Sequence, residues 1–262
     1  MVYEREMSKF FDATSRHMTY ELGPSRPPSE ATSLLIRLVR GCPWHRCSFC
    51  SSHRTKAFSL RSVEEVKRDI ETAKKVHDKI KELSWQLGER GNDRKIAALV
   101  YSDPPNENFR NVALWLYHGA QTCFLQDADS LVLKTPQLVE IIRFLKETFP
   151  SITRVTSYAR SKTASKKKLE EFIGLHEVGL SRLHIGFESG SDEVLEFVEK
   201  GVSASEHITA GKRIVESGIS LCLYLMPGLG GRHKSNIHME ESAKAINEIN
   251  PHYIRLRSLM LR

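Results

Sequence analysis

The stretch Leu34-Leu35-Ile36-Arg37-Leu38-Val39-Arg40-Gly41-Cys42-Pro43-Trp44-His45-Arg46-Cys47-Ser48-Phe49-Cys50 runs an apolar segment directly into three cysteines. A short apolar run closed by a glycine predicts a strand, here over residues 34–40. The cysteines then lie on the loop that leaves this strand at its C-terminal end. In parallel α/β barrels that is the face on which sites are built.

Outward from this segment the pattern repeats. Ser62 with Glu65 three residues later makes a capping box. Val63, Val66, Ile70, Ala73, Val76, Ile80 and Leu83 follow at spacings of three or four, which predicts one buried face of a long helix. Residues 84–120 are less regular. Ser84 to Lys95 is polar, Ile96 to Tyr101 reads as a short strand, Asp103 to Asn108 as a turn-rich loop, and Phe109 to Gly119 as a helix. The stretch is expected to be an insertion and a candidate lid or wall for a substrate.

Further strands are predicted at Thr122–Gln126, Ile152–Tyr158, Arg182–Glu188, Ile219–Met226 and Tyr253–Met260. Helices are predicted at Pro136–Thr148, with proline in the first turn, and at Ser165–Val178, Asp192–Lys200, Ser205–Ser217 and Ser235–Ile249. Strands alternating with helices imply βαβ units, hence parallel strands with right-handed crossovers. Eight such strands close a full barrel; six predict a partial (β/α)6 TIM-type barrel over residues 34–262. Residues 1–33, with Gly23, Pro24, Pro27 and Pro28, read as a leader. The chain stops at Arg262 just after the sixth strand, with no helix to cover it, which is the pattern of a truncated form.

The 262 residues are enough to bury a core without disulfide staples. Met1 to Tyr20 has no apolar h-region, and the apolar run Leu221 to Met226 is too short to span a bilayer. A cytoplasmic protein with no membrane partner is expected. The net charge of +7 permits an anionic partner. The densest basic run, Arg160 to Lys168 with Lys162, Lys166, Lys167 and Lys168, lacks interleaved aromatics. It reads as a solvated helix entry, and nucleic acid stays compatible but unsupported.

Five cysteines without a secretory signal argue against a disulfide framework. Cys123 and Cys222 fall inside predicted strands and read as small buried hydrophobes. Trp44, Trp85 and Trp115 read as packing residues, Trp44 also as a shield for the cysteine loop. Cys42, Cys47 and Cys50 point to metal. Three thiolates on one loop can hold three irons of a [4Fe–4S] cube and leave the fourth open. A structural zinc site normally closes four ligands, and only His45 or His53 offers a fourth here.

These residues give the chain a resemblance to the radical S-adenosylmethionine (radical SAM) superfamily, over about residues 20–262. The usual spacing in that family is C-x3-C-x2-C; this chain has the less common C-x4-C-x2-C. The resemblance implies a [4Fe–4S] cluster on Cys42, Cys47 and Cys50. It implies reductive cleavage of S-adenosylmethionine to methionine and a 5′-deoxyadenosyl radical, which takes hydrogen from a substrate that the sequence does not specify. It also implies an external one-electron donor of flavodoxin or ferredoxin type.

The resemblance further assigns cofactor contacts. Phe49 would pack near the adenine, and Asp127 or Asp129, in Phe124-Leu125-Gln126-Asp127-Ala128-Asp129-Ser130, would meet the methionine ammonium. Ser157 and Arg160, in Thr156-Ser157-Tyr158-Ala159-Arg160, follow the third strand, and Arg160 would clamp the carboxylate. Glu188 and Ser189 would meet the ribose, with Ser191 capping the next helix. Gly228, in Met226-Pro227-Gly228-Leu229-Gly230-Gly231, would let backbone approach the adenine. Bland alternatives stand beside each: both Asp residues as loop caps, Arg160 as a surface cation, the glycines as plain turns. Two other functions compete. One is a non-enzymatic zinc module; the other is an RNA-modifying enzyme of methylthiotransferase type, although no RNA-binding domain is visible beside the barrel.

Overall fold

The computed structural model describes residues 10–11, 13–53, 57–89 and 93–259. Expectations that fall on residues 1–9, 12, 90–92 and 260–262 lie outside these. Among the described residues a helix α1 (Ala13–His17) and a 3₁₀ turn at Pro28–Glu30 precede the sheet. Strands β1 (Leu34–Arg37), β4 (Thr122–Gln126), β5 (Arg154–Ala159), β6 (Leu180–Glu188), β7 (Ser220–Leu225) and β8 (Tyr253–Leu256) form one sheet in the order β1-β4-β5-β6-β7-β8. Every neighbouring pair is parallel. The partial barrel read from the alternation is therefore the fold.

Period-two alternation divides each strand between two faces. Leu34, Ile36, Cys123, Leu125, Val155, Leu183, Ile185, Leu221 and Leu223 join the helices in one apolar core. Phe124, Tyr158, His184 and Tyr224 meet each other on the opposite, inner face.

The helical layer begins with α2 (Val63–Gln86), whose capping box at Ser62 and Glu65 is present as predicted. Next come α3 (Asp93–Ser102) and α4 (Glu107–Tyr117), the latter capped by Asn106. The run Ile96–Tyr101, expected as a strand, is helical. Ile96, Ala97 and Val100 are buried at helical spacing, and a six-residue apolar run cannot distinguish the two periods by itself.

Residues 84–120 thus extend the helical layer beside β1. There Asn111 satisfies the free edge of that strand: its Oδ1 accepts from Leu35 N at 3.1 Å and its Nδ2 donates to Ser33 O at 3.1 Å. Trp115 is buried as expected. Trp85 is not; it is 64% exposed, because it lies on the solvent side at the end of α2.

The remaining helices are α5 (Thr135–Thr148), α6 (Ser161–Ala164), α7 (Leu169–Glu177), α8 (Asp192–Phe197), α9 (Ala204–Glu216) and α10 (Ser235–Ile249). The helix expected over 165–178 is found as α7, which starts four residues later, after the basic run, and the short α6 precedes that run. Lys167 is buried there and donates to Leu133 O and Thr135 Oγ1, so the run is not wholly a solvated face. The strand expected over 34–40 also divides. After Leu38 N bonds Gln126 O, residues β2 (Val39–Arg40) leave the sheet and pair antiparallel with β3 (Ser59–Leu60). Among the described residues no helix is long and apolar enough to cross a membrane.

The 3₁₀ turn at Pro28–Glu30 closes the N-terminal end of the barrel. Glu30 is fully buried and is held by Ser33, Arg154 and His184. Burial pushes its carboxyl up, but these partners outweigh that and hold it below the usual carboxylate range.

Candidate active site

The cysteine loop follows β1 and β2 at the C-terminal end of the sheet. Gly41 (φ 75°) turns the chain, and the four residues between Cys42 and Cys47 fit a left-handed turn at His45 (φ 41°), whose Nδ1 lies 3.2 Å from Cys42 O. Cys50 N donates to Cys47 O at 3.1 Å and closes the second turn. All three thiols are free; Cys47 is buried, and Cys42 and Cys50 are half-buried.

The loop is seated on residues 198–201, where the helix expected over 192–200 has already ended, since α8 stops at Phe197. Ser48 N donates to Val198 O at 3.0 Å, and the Trp44 indole donates to Glu199 O at 2.6 Å. The indole lies on Gly201, where any Cβ would overlap the ring. Glu199 (φ 51°) and Gly201 (φ 68°) flank Lys200 in this tight turn, of which Gly201 is the signal in the sequence.

Lys200 is the principal residue missed. Its Nζ lies 3.2 Å from Glu188 Oε1 and 5.6 Å from the centre of the Phe49 ring. Burial raises the pKa of the Cys47 thiol, while the Lys200 and Arg160 cations act to lower it. Burial prevails, and the two cations offset only part of its penalty on a thiolate at Cys47.

The residues singled out from sequence fall into two groups. The first is turned inward to packing. Asp127 (φ 113°) is fully buried and bonded to Arg37 and to the Gly41 amide, with His53 Nδ1 at 3.4 Å. Asp129 is equally buried, and accepts from Arg160 N at 3.2 Å and Thr163 Oγ1 at 2.6 Å. Burial raises its carboxyl to about 6. Ser157 donates to Leu125 O at 3.0 Å and shares a hydrogen bond with Ser130. Ser189 is fully buried in a network with His238 Nδ1 at 2.8 Å and Ser191 N at 3.0 Å. Ser191 begins α8 but makes no side-chain cap, because its Oγ has no hydrogen-bond partner.

The second group faces the mouth of the barrel. Phe49 packs against a small apolar cluster of Val194, Val198 and Leu229, beside Met226 and Leu259. Glu188 (φ 64°) sits at a register shift between β6 and β7 and lies back over Gly186 toward Lys200. Arg160 is half-buried, donates to Lys200 O at 3.1 Å, and stacks 5.6 Å from the Trp44 ring. Gly228 (φ 82°) is exposed, with open space where a Cβ would project. The mouth thus combines three thiols, an apolar wall, a glycine turn and a Lys–Glu pair.

The donor set suits a cluster. A cube takes each thiolate on a different iron and leaves one iron open. Among the described residues no three His, Cys, Asp or Glu side chains are gathered closely enough for one metal ion. Zinc on these thiols with His45 or His53 would require the loop to contract.

A family model described as the radical SAM superfamily matches residues 36–240, well over half the chain. No curated protein matches the sequence. Among solved structures, the radical S-adenosylmethionine methyltransferase TsrM from Kitasatospora setae, with cobalamin and a [4Fe-4S] cluster bound, shares 15% identity at a TM-score of 0.58, covering 93% of this chain and 41% of that one. The cobalamin-dependent S-adenosylmethionine radical enzyme OxsB shares 18% at 0.52, covering 81% and 26%. Coproporphyrinogen III oxidase HemN from Escherichia coli shares 16% at 0.52, covering 97% and 47%. The chain spans less than half the length of each of these three proteins, and at such identities the likeness shows the fold.

Proposed function

The chain belongs to the radical SAM superfamily, and from that membership we propose that Cys42, Cys47 and Cys50 hold a [4Fe–4S] cluster with which the protein reductively cleaves S-adenosylmethionine. The observation that carries the reading is the placement of three free thiols on one loop at the C-terminal mouth of the barrel, inside the matched residues. When bound, the cluster and S-adenosylmethionine supply one-electron reduction of the sulfonium, giving methionine and a 5′-deoxyadenosyl radical that abstracts hydrogen.

The protein's own part is positioning and exclusion of water. Phe49 and its apolar neighbours offer a dry wall for an adenine. Glu188 presents a carboxylate at the rim to ribose hydroxyls, held in place by Lys200. Arg160 keeps guanidinium donors beyond its bond to Lys200 O, enough for the methionine carboxylate. Gly228 allows backbone to approach the base. Asp127, Asp129, Ser157 and Ser189 support the loops beneath. A one-electron donor of flavodoxin or ferredoxin type would reduce the site from outside.

The test is anaerobic reconstitution with iron and sulfide, followed by spin resonance after dithionite with and without S-adenosylmethionine. About four irons per chain and a reduced signal that shifts on adding the cofactor are expected, with both lost in Cys47→Ala. A colourless protein holding one zinc would overturn the reading.

A further inference from the structure

On the inner face of the barrel a chain of polar contacts rises from the plug to the mouth. Glu30 Oε1 lies 3.5 Å from His184 Nε2, His184 Nδ1 lies 3.5 Å from the Tyr224 hydroxyl, and that oxygen accepts from Arg255 Nη1 at 3.3 Å. Burial lowers the pKa of His184, which keeps the ring neutral. A neutral ring with Nε2–H toward Glu30 has Nδ1 free to accept the Tyr224 proton. The phenol then presents only lone pairs to Arg255. The order of donors fixes this guanidinium from below, using one of its five N–H groups.

Arg257 joins it. The Arg255 and Arg257 guanidiniums lie 5.7 and 5.9 Å from the Tyr224 ring, on the side of the sheet where Tyr158 stacks 6.4 Å away. Among the described residues neither arginine has a carboxylate within ion-pair distance, whereas Arg37, Arg40, Arg61, Arg110 and Arg154 each have at least one. Arg255 is half-buried, and a partly desolvated cation without a counter-ion is costly unless an anion completes it. Two guanidiniums side by side at the Tyr224 ring form a donor set for an oxyanion, each with the planar fork that suits carboxylate or phosphate.

We propose that the guanidiniums of Arg255 and Arg257, held beside the Tyr224 ring, bind an oxyanionic group of the substrate, a carboxylate or a phosphate, at the β8 side of the barrel mouth. Its assignment to the substrate rests on the radical SAM reading above; the oxyanion site itself does not.

The experiment titrates inorganic phosphate, and separately acetate, into the reconstituted full chain by calorimetry, and repeats this for R255Q, R257Q and the surface control R68Q. One oxyanion per chain is expected, at least tenfold weaker in R255Q and in R257Q and unchanged in R68Q. Tighter phosphate marks a phosphate-bearing substrate, and tighter acetate a carboxylate. Because Arg257 is exposed just past the edge strand, R257Q reports even if R255Q fails to fold. The proposal is overturned if wild type takes up neither ion, if uptake survives both substitutions, or if saturating S-adenosylmethionine displaces the probe, which would make the site the cofactor's own. A missing spin-resonance response to S-adenosylmethionine with oxyanion uptake intact would remove the enzyme reading and its substrate assignment, and leave the anion site standing.

Discussion

Arg37 Nη2 meets Asp127 Oδ2 at 2.6 Å, and so joins the ends of β1 and β4 directly beneath the cysteine loop. The same oxygen accepts the Gly41 amide at 3.2 Å, so one buried carboxylate sets both the strand spacing and the start of the loop. Asp127 is fully buried and the Arg37 side chain only 14% exposed, which makes the pair expensive to break.

Asp127→Ala is therefore expected to lower stability by about 3 kcal/mol, because it takes one of two carboxylate partners from the mostly buried Arg37 guanidinium and leaves the Gly41 amide without its acceptor. Denaturant unfolding of the protein before reconstitution reads this directly. If Asp127 instead served only to bind the methionine ammonium, the unfolding midpoint would stay put and only cofactor affinity would fall.

Gly201→Ala should disturb the seat of Trp44. The added carbon overlaps the indole, and the position has φ 68°. Overpacking and a left-handed alanine together should cost about 2 kcal/mol or more. Iron retained after reconstitution should fall as well, since Trp44 is bonded to the same turn through Glu199 O. Unchanged iron content and unchanged melting would show that the turn does not hold the loop.

Asp129 gives a pH dependence of defined sign. Burial raises its carboxyl to about 6 in the folded protein, from the ordinary 3.8 of the unfolded chain. The folded state therefore holds the proton more tightly, and stability from this group is lost as pH rises from about 4 through about 6. The loss is on the order of 3 kcal/mol. Glu30 and the other carboxyls held low act oppositely, losing stability as pH falls below their unfolded values. Subtracting the stability profile of Asp129→Asn from that of wild type isolates the term. A flat difference between pH 4 and 6 would rule it out.

Asn111→Ala should leave the Leu35 amide and the Ser33 carbonyl at the free edge of β1 without their partner. Unsatisfied buried groups cost about 1–3 kcal/mol each. Amide exchange at Leu35 should speed up well beyond that of Phe124 in the middle of the sheet, and equal acceleration at both would argue for global destabilisation only.

The alternation of strands and helices was legible because each period is carried by several residues. The α2 face, from Val63 to Leu83, repeats often enough that no other element fits. Ile96–Tyr101 was misjudged because six apolar residues satisfy both periods. The thiols were legible as a group because they lie on one loop. Their supports were not: Lys200 lies about 150 residues away along the chain, and only folding brings it to Phe49. Asp127 and Asp129 could be placed on the right loop but not oriented. Whether a buried carboxylate faces a ligand or the protein depends on Arg37 and Thr163, and on left-handed backbone at Asp127 that no local propensity predicts. Arg255 and Arg257 looked like ordinary strand residues until Tyr224 was found beneath them.

The described sheet has two ends, β1 and β8, and its ladder of backbone bonds runs between them without returning to its start. A closed ring of strands has a girth set by strand number and shear, and cannot widen without tearing that ladder. This sheet can be flexed like an opened book. Spreading β8 from β1 strains side-chain packing and leaves the backbone bonds intact. With the thiol loop rooted at one cover and the two arginines at the other, the width between them is set by side-chain packing and not by a closed ring of backbone bonds.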